Sequence, residues 1–361
     1  MNFKTFILIL APHRAIVLCL ISMYAYQSAA LAQDVHFSQM GQTPLLLNPA
    51  LTGVFNGKYR AFINYKDQWS SFGKAYRTSA FSIDTELMKN PKKRSSFGAG
   101  LIAFSDRAGD FGLSTAFVGF SFSGIVKVAV NQVVTGGIRG GFGQRSVNIQ
   151  NPRTSEQFVG SYDPSLSSGE SFQFDPFHYG NFSLGIGWSK WRVGINSASN
   201  VETRTSFGLA YHHVNRPKVS FNLIEEQLYS KIILHGHTYF RIKNAPLGLL
   251  PAASVVKQGP ATEINVGTYL RYRVREDSRY TGLIKESTVL LGLHTRIGDA
   301  LIPSIMLVIA DYTLGISYDI NISSLRKASS GRGGIEFSLR FQNVESSSRG
   351  KKGRAKHGSM Y

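Results

Sequence analysis

The chain has 361 residues, of which 43% are hydrophobic and 17% are charged, and its formal net charge is +18. Its single cysteine, Cys19, excludes a disulfide framework, and a chain that begins after it has no thiol for catalysis or metal binding. The sparse charge and high glycine content favour strands that alternate polar and apolar residues over a bundle of transmembrane helices.

The first 32 residues have the pattern of an export signal. Lys4 and Arg14 supply positive charge, Ala15 to Tyr24 form a short apolar stretch, and Ala30-Leu31-Ala32 offers small residues for cleavage. We therefore expect a signal peptide, residues 1–32, that is cleaved after Ala32. The alternative is an uncleaved anchor, but a span needs about 20 apolar residues.

Residues 33–57 precede the first predicted strand. They combine polar, amide and aromatic side chains with Pro44 and Pro49, so they cannot form a lipid-facing wall. Two interpretations stay open. The segment lies in the periplasm or in the lumen as a plug or docking strip, or it is a lead-in that caps one end of the barrel.

Residues 58–341 alternate between apolar and polar, as a barrel wall with one lipid-facing and one wet face requires. In the stretch from Glu263 to Arg275, for example, Ile264 and Val266 share one face. An α-helix would not keep alternate residues on the same face. The sequence predicts about fourteen antiparallel strands that begin near Lys58, Tyr76, Phe97, Phe111, Gln132, Phe182, Arg204, Lys231, Leu247, Glu263, Val289, Leu301, Tyr312 and Ile335.

One ambiguity affects this count, because the apolar phase flips after Trp188 and apolar residues then occupy odd positions from Trp191 onward. The flip indicates either a hairpin at Ser189-Lys190 or one strand with a bulge. We choose the bulge because it gives an even strand number. Aromatic residues near strand ends suggest interfacial girdles, and they are Tyr59, Tyr65, Trp69, Trp188, Tyr239 and Tyr269.

Loop lengths favour termini in the periplasm. The long connections from Gln144 to Gly180 and from Val214 to Tyr229 then lie outside the cell, and short ones such as Ala310-Asp311 lie inside. The connection from Glu276 to Ser287 is long for a periplasmic turn. A soluble β-sandwich or propeller is the alternative, but no repeat of fixed period supports it.

No constellation predicts catalysis, a cofactor or a metal. The two acids of Asp106–Asp110 lack the further oxygen ligands that calcium needs and fit a salt-bridged turn better. His235 and His237 share a strand face without a recognisable third ligand, which favours lumenal packing. The glycines from Gly136 to Gly143 lie within a strand, where they allow curvature or close approach of an inner segment.

Motifs spread over the mature chain resemble the PorP/SprF family of the type IX secretion and gliding machinery of Bacteroidetes. The stretches that carry the resemblance are Asp34–Gln39, Leu47–Gly53, Asn64–Trp69, Asp106–Asp110, Gly143–Ser146, His213–Pro217, Gly315–Ile320 and Gly334–Leu339. The part of the long loop from Phe158 to Phe177 and the tail after Phe341 depart from the family pattern.

The resemblance implies an integral outer-membrane barrel without enzymatic activity. Such a protein supports export or surface attachment of a large adhesin by recognising its C-terminal domain, and acts with the periplasmic ring and translocon. The residues expected to contact partners or carry the motifs are His36, Phe37, Ser38, Gln39, Asn48, Pro49, Gln68, Trp69, Asp106, Gly109, Asp110, Asn215, Pro217, Tyr318 and Asp319.

The positive charge suggests anionic neighbours outside the cytoplasm, such as lipopolysaccharide or acidic cargo, and not nucleic acid. Residues 342–361 carry part of that charge, and we expect them to form a basic, disordered periplasmic tail. The alternative function for the whole chain is a general porin or small-solute channel.

Overall fold

The computed structural model describes residues 34–70, 75–88, 93–109, 112–147, 155–158, 161, 163, 165–166, 175–192, 203–219, 227–242, 245–275, 287–324 and 326–343. The predicted signal peptide lies outside these ranges, as does the predicted tail after Asn343; the boundary predicted after Phe341 was wrong by one residue, because Gln342 is the last residue of the final strand. The strands are β1 (Tyr59–Gln68), β2 (Tyr76–Leu87), β3 (Ser95–Ala108), β4 (Leu113–Ala129), β5 (Gln132–Ser146), β6 (Phe177–Arg192), β7 (Thr203–His212), β8 (Lys231–Arg241), β9 (Leu247–Gln258), β10 (Ala261–Arg275), β11 (Ser287–Arg296), β12 (Ala300–Ile309), β13 (Tyr312–Asn321) and β14 (Arg332–Gln342).

Each strand pairs antiparallel with its sequence neighbours, and β14 pairs with β1 to close a fourteen-stranded barrel. The predicted strand number, order and fold class are confirmed. No helix in the described part of the chain is long and apolar enough to cross a membrane. The helices are α1 (Pro44–Leu47) and α2 (Arg326–Ser329), with 3₁₀ turns at Met40–Gln42, Pro49–Leu51 and Ser155–Gln157.

Side-chain alternation produces the two surfaces of the wall. On β13, Leu314 is 50% exposed on the outside, whereas the adjacent Thr313 is 1% exposed in the lumen. Val266 and Leu270 of β10 also point outward, while Asn265 and Tyr269 are buried in the lumen. The apolar outer face is suited to contact with lipid, and the inner face carries the polar groups that line the lumen.

The phase flip in β6 has a different cause from the predicted bulge. β6 is one strand, as chosen, but its pairing with β5 and β7 runs without a register shift. Trp191 simply faces inward, where it packs with Ile125 and Val133. The girdle prediction was likewise wrong for Tyr239 and Tyr269, which belong to a lumenal apolar cluster.

The barrel has two distinct ends. We call the end where β1 begins and β14 finishes the terminal end, and the opposite end, with the long connections after β5 and β7, the loop end. Residues 34–57, the lumenal segment, hydrogen-bond to strands all around the barrel, from Asp84 of β2 to Arg139 of β5 and Glu336 of β14. A segment can reach all of them only from inside.

Candidate functional site

The lumenal segment runs the length of the barrel interior. At the loop end, Asp34 contacts Lys231 and Gln258, which stand at the ends of β8 and β9. At the terminal end, Gln342 Nε2 donates to the carbonyl of Asn56, directly before β1. The segment is therefore a plug and not a short cap on one end.

The first anchor is electrostatic. The Asp34 carboxylate lies 3.2 Å from His213 Nε2 and 3.4 Å from Lys231 Nζ. Burial raises the pKa of Asp34, but Lys231 and His213 more than offset this and hold that pKa well below its usual range. The carboxylate is therefore charged at neutral pH and pins the start of the segment to β8 and to the His213 turn.

The second anchor binds Ser38 and Gln39 beside the seam that closes the barrel. Both carboxylate oxygens of Glu336 accept backbone N–H bonds, from Ser38 at 2.6 Å and from Gln39 at 3.1 Å. The Ser38 hydroxyl donates to Asp319 at 2.8 Å and accepts from Lys66 at 2.9 Å. Together these bonds hold the segment to β1, β13 and β14.

The side chain of Gln39 completes this seam anchor. Its Nε2 donates to Ser317 and to the Glu336 carbonyl, each at 3.2 Å, and its Oε1 accepts from Ser338 at 2.7 Å. Lys66 and Arg296 pair with Asp319 at 3.3 and 3.4 Å, which balances the buried charges. Every hydrogen-bonding atom of the Gln39 amide therefore has a specific partner on the wall.

The third anchor is Asn48, which is fully buried in mid-lumen. Its Nδ2 lies 3.0 Å from both the Ile186 carbonyl and His235 Nε2, and it also donates to the Leu209 carbonyl at 3.4 Å. Its Oδ1 accepts from the Ala50 backbone at 2.8 Å, which starts the 3₁₀ turn after Pro49. One amide thus fixes the local turn and its place on β6 to β8.

Glycines on the wall give the segment its room. A Cβ on Gly137 would lie 2.5 Å from backbone atoms of Pro49 and Ala50. A Cβ on Gly185 would clash with the Asn48 side chain, and one on Gly98 with the Thr52 carbonyl. The interpretation of the Gly136–Gly143 stretch as a place for close approach holds at Gly137.

The last anchor lies nearer the terminal end. Gly53 N donates to Asp84 Oδ2 at 2.7 Å, and the same carboxylate pairs with Arg60 Nη2 at 2.7 Å. Arg60 also donates to the Leu51 carbonyl at 3.1 Å. Because Asp84 and Arg60 are both buried, each satisfies the other as well as the backbone of the segment.

Other predicted site residues lie elsewhere. Gln68 ends β1 at the loop end, and next to it Trp69 adopts a positive φ of 60° and packs edge-to-face on Tyr76 at 4.8 Å. Gly109 has a φ of 62°, which suits glycine at the turn after β3. Asp106 stands on β3 and accepts from the Thr78 hydroxyl at 2.6 Å. Asp110 lies outside the described residues.

A second group belongs to the turn after β7. Asn215 Nδ2 donates to the Gly180 carbonyl at 2.7 Å, which ties that turn to β6. The Pro217 carbonyl accepts from Leu228 at 2.9 Å. Tyr318 faces outward and is 39% exposed, so it is separated from its neighbour Asp319 by the wall. Phe37 is buried, and His36 Nε2 is buried without a hydrogen-bond partner.

The structure therefore brings Ser38, Gln39 and Asp319 together at the seam anchor and places Asn48 and Pro49 in mid-lumen. The other predicted residues lie at separate points. Sequence reasoning missed Lys66, Glu336 and Arg296. Lys66 and Glu336 lay within the motif stretches, on the polar side of alternating strands, where a lumenal charge is the detectable signal.

Cavities flank the segment on both sides. One opens between residues 34–47 and strands β8 to β10, and one lies toward the terminal end beside Trp191 and Arg340. A third, between them, is lined by His235, His237 and His294. No metal-binding cluster of three ligands occurs among the described residues.

The chain resembles several solved barrels at low identity. Over 84% of this chain and 94% of the other, it superposes on the P. putida toluene transporter TodX with 10% identity and a TM-score of 0.45. A Pseudomonas aeruginosa FadL homologue superposes over 84% of this chain and 94% of its own, with 11% identity and a TM-score of 0.44. BamA from Haemophilus ducreyi lacking POTRA domains 1-3 superposes over 80% of this chain and 70% of its own, with 10% identity and a TM-score of 0.41.

No curated protein matches the chain. The family described as "Type IX secretion system membrane protein PorP/SprF" matches residues 29–341, which include every wall strand except the last residue of β14 and all the anchors described above. With that match and its closed fourteen-stranded wall, the chain belongs to the PorP/SprF family of type IX secretion system membrane proteins and is a non-enzymatic outer-membrane barrel.

Proposed function

We propose that this barrel supports the export or surface attachment of a specific large adhesin, and that it does so by binding partners and not by conducting solutes. The observation that carries the proposal is the lumenal segment, which is bonded to the wall from the loop end to the terminal end. A diffusion porin needs a continuous aqueous bore.

In this proposal the loop end faces the cell surface, where it meets the C-terminal domain of the cargo. The terminal end faces the periplasm, where it meets the ring and translocon proteins. Residues at the loop end, including Trp69, Gly109 and Asn215, are then candidates for cargo contact. The candidates for docking in the periplasm are the strand ends around Gln342.

Deletion of the gene tests the secretion role. We expect loss of surface display of one adhesin, with unchanged permeability of the outer membrane to small antibiotics. Normal display in the deletion strain would contradict the proposal. Co-purification from native membranes should also recover ring proteins with the barrel.

Conductance measurements distinguish the proposed role from the alternative, a general porin. The purified full chain should show no large stable currents in planar bilayers, because residues 34–57 occupy the lumen. Large, persistent open currents from the wild-type protein would favour the porin interpretation instead.

A further inference from the structure

Two arginines stand side by side on the outer surface near the loop end. Arg77 of β2 and Arg107 of β3 are directly opposite each other in the antiparallel register, and both are exposed. The adjacent residues Thr78 and Asp106 are hydrogen-bonded at 2.6 Å on the lumenal side, so the two arginines point away from the lumen. Like charges that lie directly opposite on neighbouring strands destabilise a sheet.

One carboxylate compensates part of this charge. Asp67 of β1 lies opposite Arg77 on its other side, and the Asp67 carboxylate accepts from Arg77 Nε at 3.2 Å. Arg107 has Ser114 of β4 opposite it on its other side and forms no ion pair with any residue that the structure describes. This row across β1 to β4 therefore holds two guanidinium groups and one carboxylate.

A β-bulge adds a third arginine to the same side of the barrel. The register between β13 and β14 shifts near the loop end, so that Arg332 stands opposite Ile320. Ile320 is 37% exposed on the outer face, and Arg332 is exposed as well. Because β14 pairs with β1, the three arginines lie on a patch of four neighbouring strands.

The outer surface next to this row, toward the terminal end, is suited to acyl chains. Ile63, Phe81 and Val118 face outward there and are 52%, 39% and 52% exposed. Arg77 and Phe81 are four residues apart on β2, about 13 Å at the rise of a strand. The arginines therefore lie at the border of the lipid-facing surface, at the level where lipid head groups meet water.

We propose that Arg77 and Arg107 bind the phosphate group of a membrane glycolipid whose acyl chains lie on this apolar surface. Guanidinium groups donate paired hydrogen bonds to phosphate oxygens, and an anion between the two arginines relieves their repulsion. Arg332 adds positive charge beside them and attracts the same head group. The assignment of the lipid to the outer leaflet rests on the proposed function, in which the loop end faces the cell surface, whereas phosphate binding does not.

The test uses the purified full chain in a neutral detergent, with lipid binding measured by native mass spectrometry. Lipid A is the probe, and lipid A from which the phosphates have been removed is the control. We expect saturable binding of lipid A and at least about tenfold weaker binding of the control, because the charge-assisted hydrogen bonds are lost. Equal binding of the two lipids would overturn the proposal.

Matched variants locate the site. Arg107→Gln should weaken the binding of lipid A by about tenfold. Lys257→Gln also removes an exposed charge from the outer face near the loop end, but on β9, where Lys257 Nζ donates to the Pro260 carbonyl and the Thr262 hydroxyl. This control should leave binding unchanged. Equal effects of the two variants would contradict a site at the arginine pair.

Thermal unfolding, followed by circular dichroism, separates lost binding from a damaged fold. Without lipid, Arg107→Gln should unfold at the same temperature as the wild-type protein or at a higher one, because the repulsion from Arg77 is removed. Lipid A should raise the midpoint of the wild-type protein more than that of the variant. A lower midpoint of the lipid-free variant would show that Arg107 has a stabilising partner in the barrel, and would overturn the proposal.

Competition identifies the ligand class. At equal ionic strength, inorganic phosphate should displace lipid A no better than chloride does, and complete displacement by phosphate would overturn the lipid assignment. Tighter binding of a poly-Glu peptide than of lipid A would overturn it as well, in favour of an acidic protein partner.

The leaflet is tested separately. Val214 is exposed in the turn after β7, at the loop end, and Val214→Cys should react with a membrane-impermeant maleimide on intact cells. Labelling that occurs only after lysis would overturn the outer-leaflet assignment. None of these measurements depends on adhesin display, so a failure of lipid binding is distinguishable from a failure of the secretion role.

Discussion

A pair of adjacent glycines on β5 offers a direct test of the plug. At Gly137 an added methyl group would lie 2.5 Å from the backbone of Pro49 and Ala50, so the lumenal segment must shift. At Gly136, on the outer face of the same strand, an added methyl group meets nothing within 4 Å. Gly136→Ala is therefore the matched control for Gly137→Ala.

The expected magnitude follows from overpacking. Forcing a methyl group into a filled site costs about 1–3 kcal/mol, and a backbone neighbour cannot rotate away as a side chain can. At about 2 kcal/mol, the ratio of seated to displaced segment falls about 30-fold. Gly136→Ala should be neutral or slightly stabilising, because it reduces the freedom of the unfolded chain.

Two measurements read out the difference. Both variants should show heat-modifiable mobility, since the wall itself is unchanged. In planar bilayers, Gly137→Ala should open more often than the wild-type protein, and Gly136→Ala should not. If both variants give the same current traces, the segment does not depend on this contact and the reasoning is wrong.

Three further substitutions probe the anchors. Glu336→Gln replaces one of the two oxygens that accept backbone N–H bonds from Ser38 and Gln39 with an amide nitrogen, which cannot accept. Thermolysin should therefore cut the segment faster, and unchanged digestion would contradict the seam anchor. Asn48→Ala leaves the buried hydrogen-bond partners of Asn48 unsatisfied and should lower the free energy of unfolding by about 2–3 kcal/mol. The temperature midpoint of the gel-mobility shift should then fall, and an unchanged midpoint would contradict the role of Asn48 as an anchor. The pKa of Asp34 is lowered in the folded barrel, so its stabilising effect is present above pH 3.8 and fades as the pH falls further. The difference in midpoint between wild type and Asp34→Asn should shrink below pH 4, and a pH-independent difference would refute this.

The wall could be predicted from the sequence because its physics is local. Alternation with a period of two residues is a property of neighbouring side chains, and strands such as β10 and β13 show it without interruption. The starts of most strands fell within a few residues of their places. The count depended on treating β6 as one strand, which was correct although no bulge is present.

The lumen was harder to predict, because an apolar residue on a strand does not say which side it faces. Tyr239 and Tyr269 resemble lipid-facing girdle residues, yet they pack inside, where the plug and neighbouring side chains exclude water. The sequence likewise does not show that Trp191 faces the lumen. Period alone fixes which residues share a face, and only closure of the barrel decides whether that face is inner or outer.

The anchors depend on contacts between residues that are far apart in sequence. Ser38 and Glu336 are separated by 298 positions, so no local pattern links them. The family resemblance predicts Ser38, Gln39 and Asp319 as candidate partner contacts. In the structure they contact one another or the wall, which explains part of the motif as the plug's own binding site.

The path of residues 34–57 also constrains how the molecule assembles. If β1 had already paired with β14, residues 34–57 would have to enter a closed barrel whose lumenal groups fit them closely. The simpler order places the stretch on the curling sheet first and joins the two edge strands around it last. Ser38 and Gln39 bond to both sides of that junction, through Lys66 of β1 and Glu336 of β14, so they bridge the two edges that must meet.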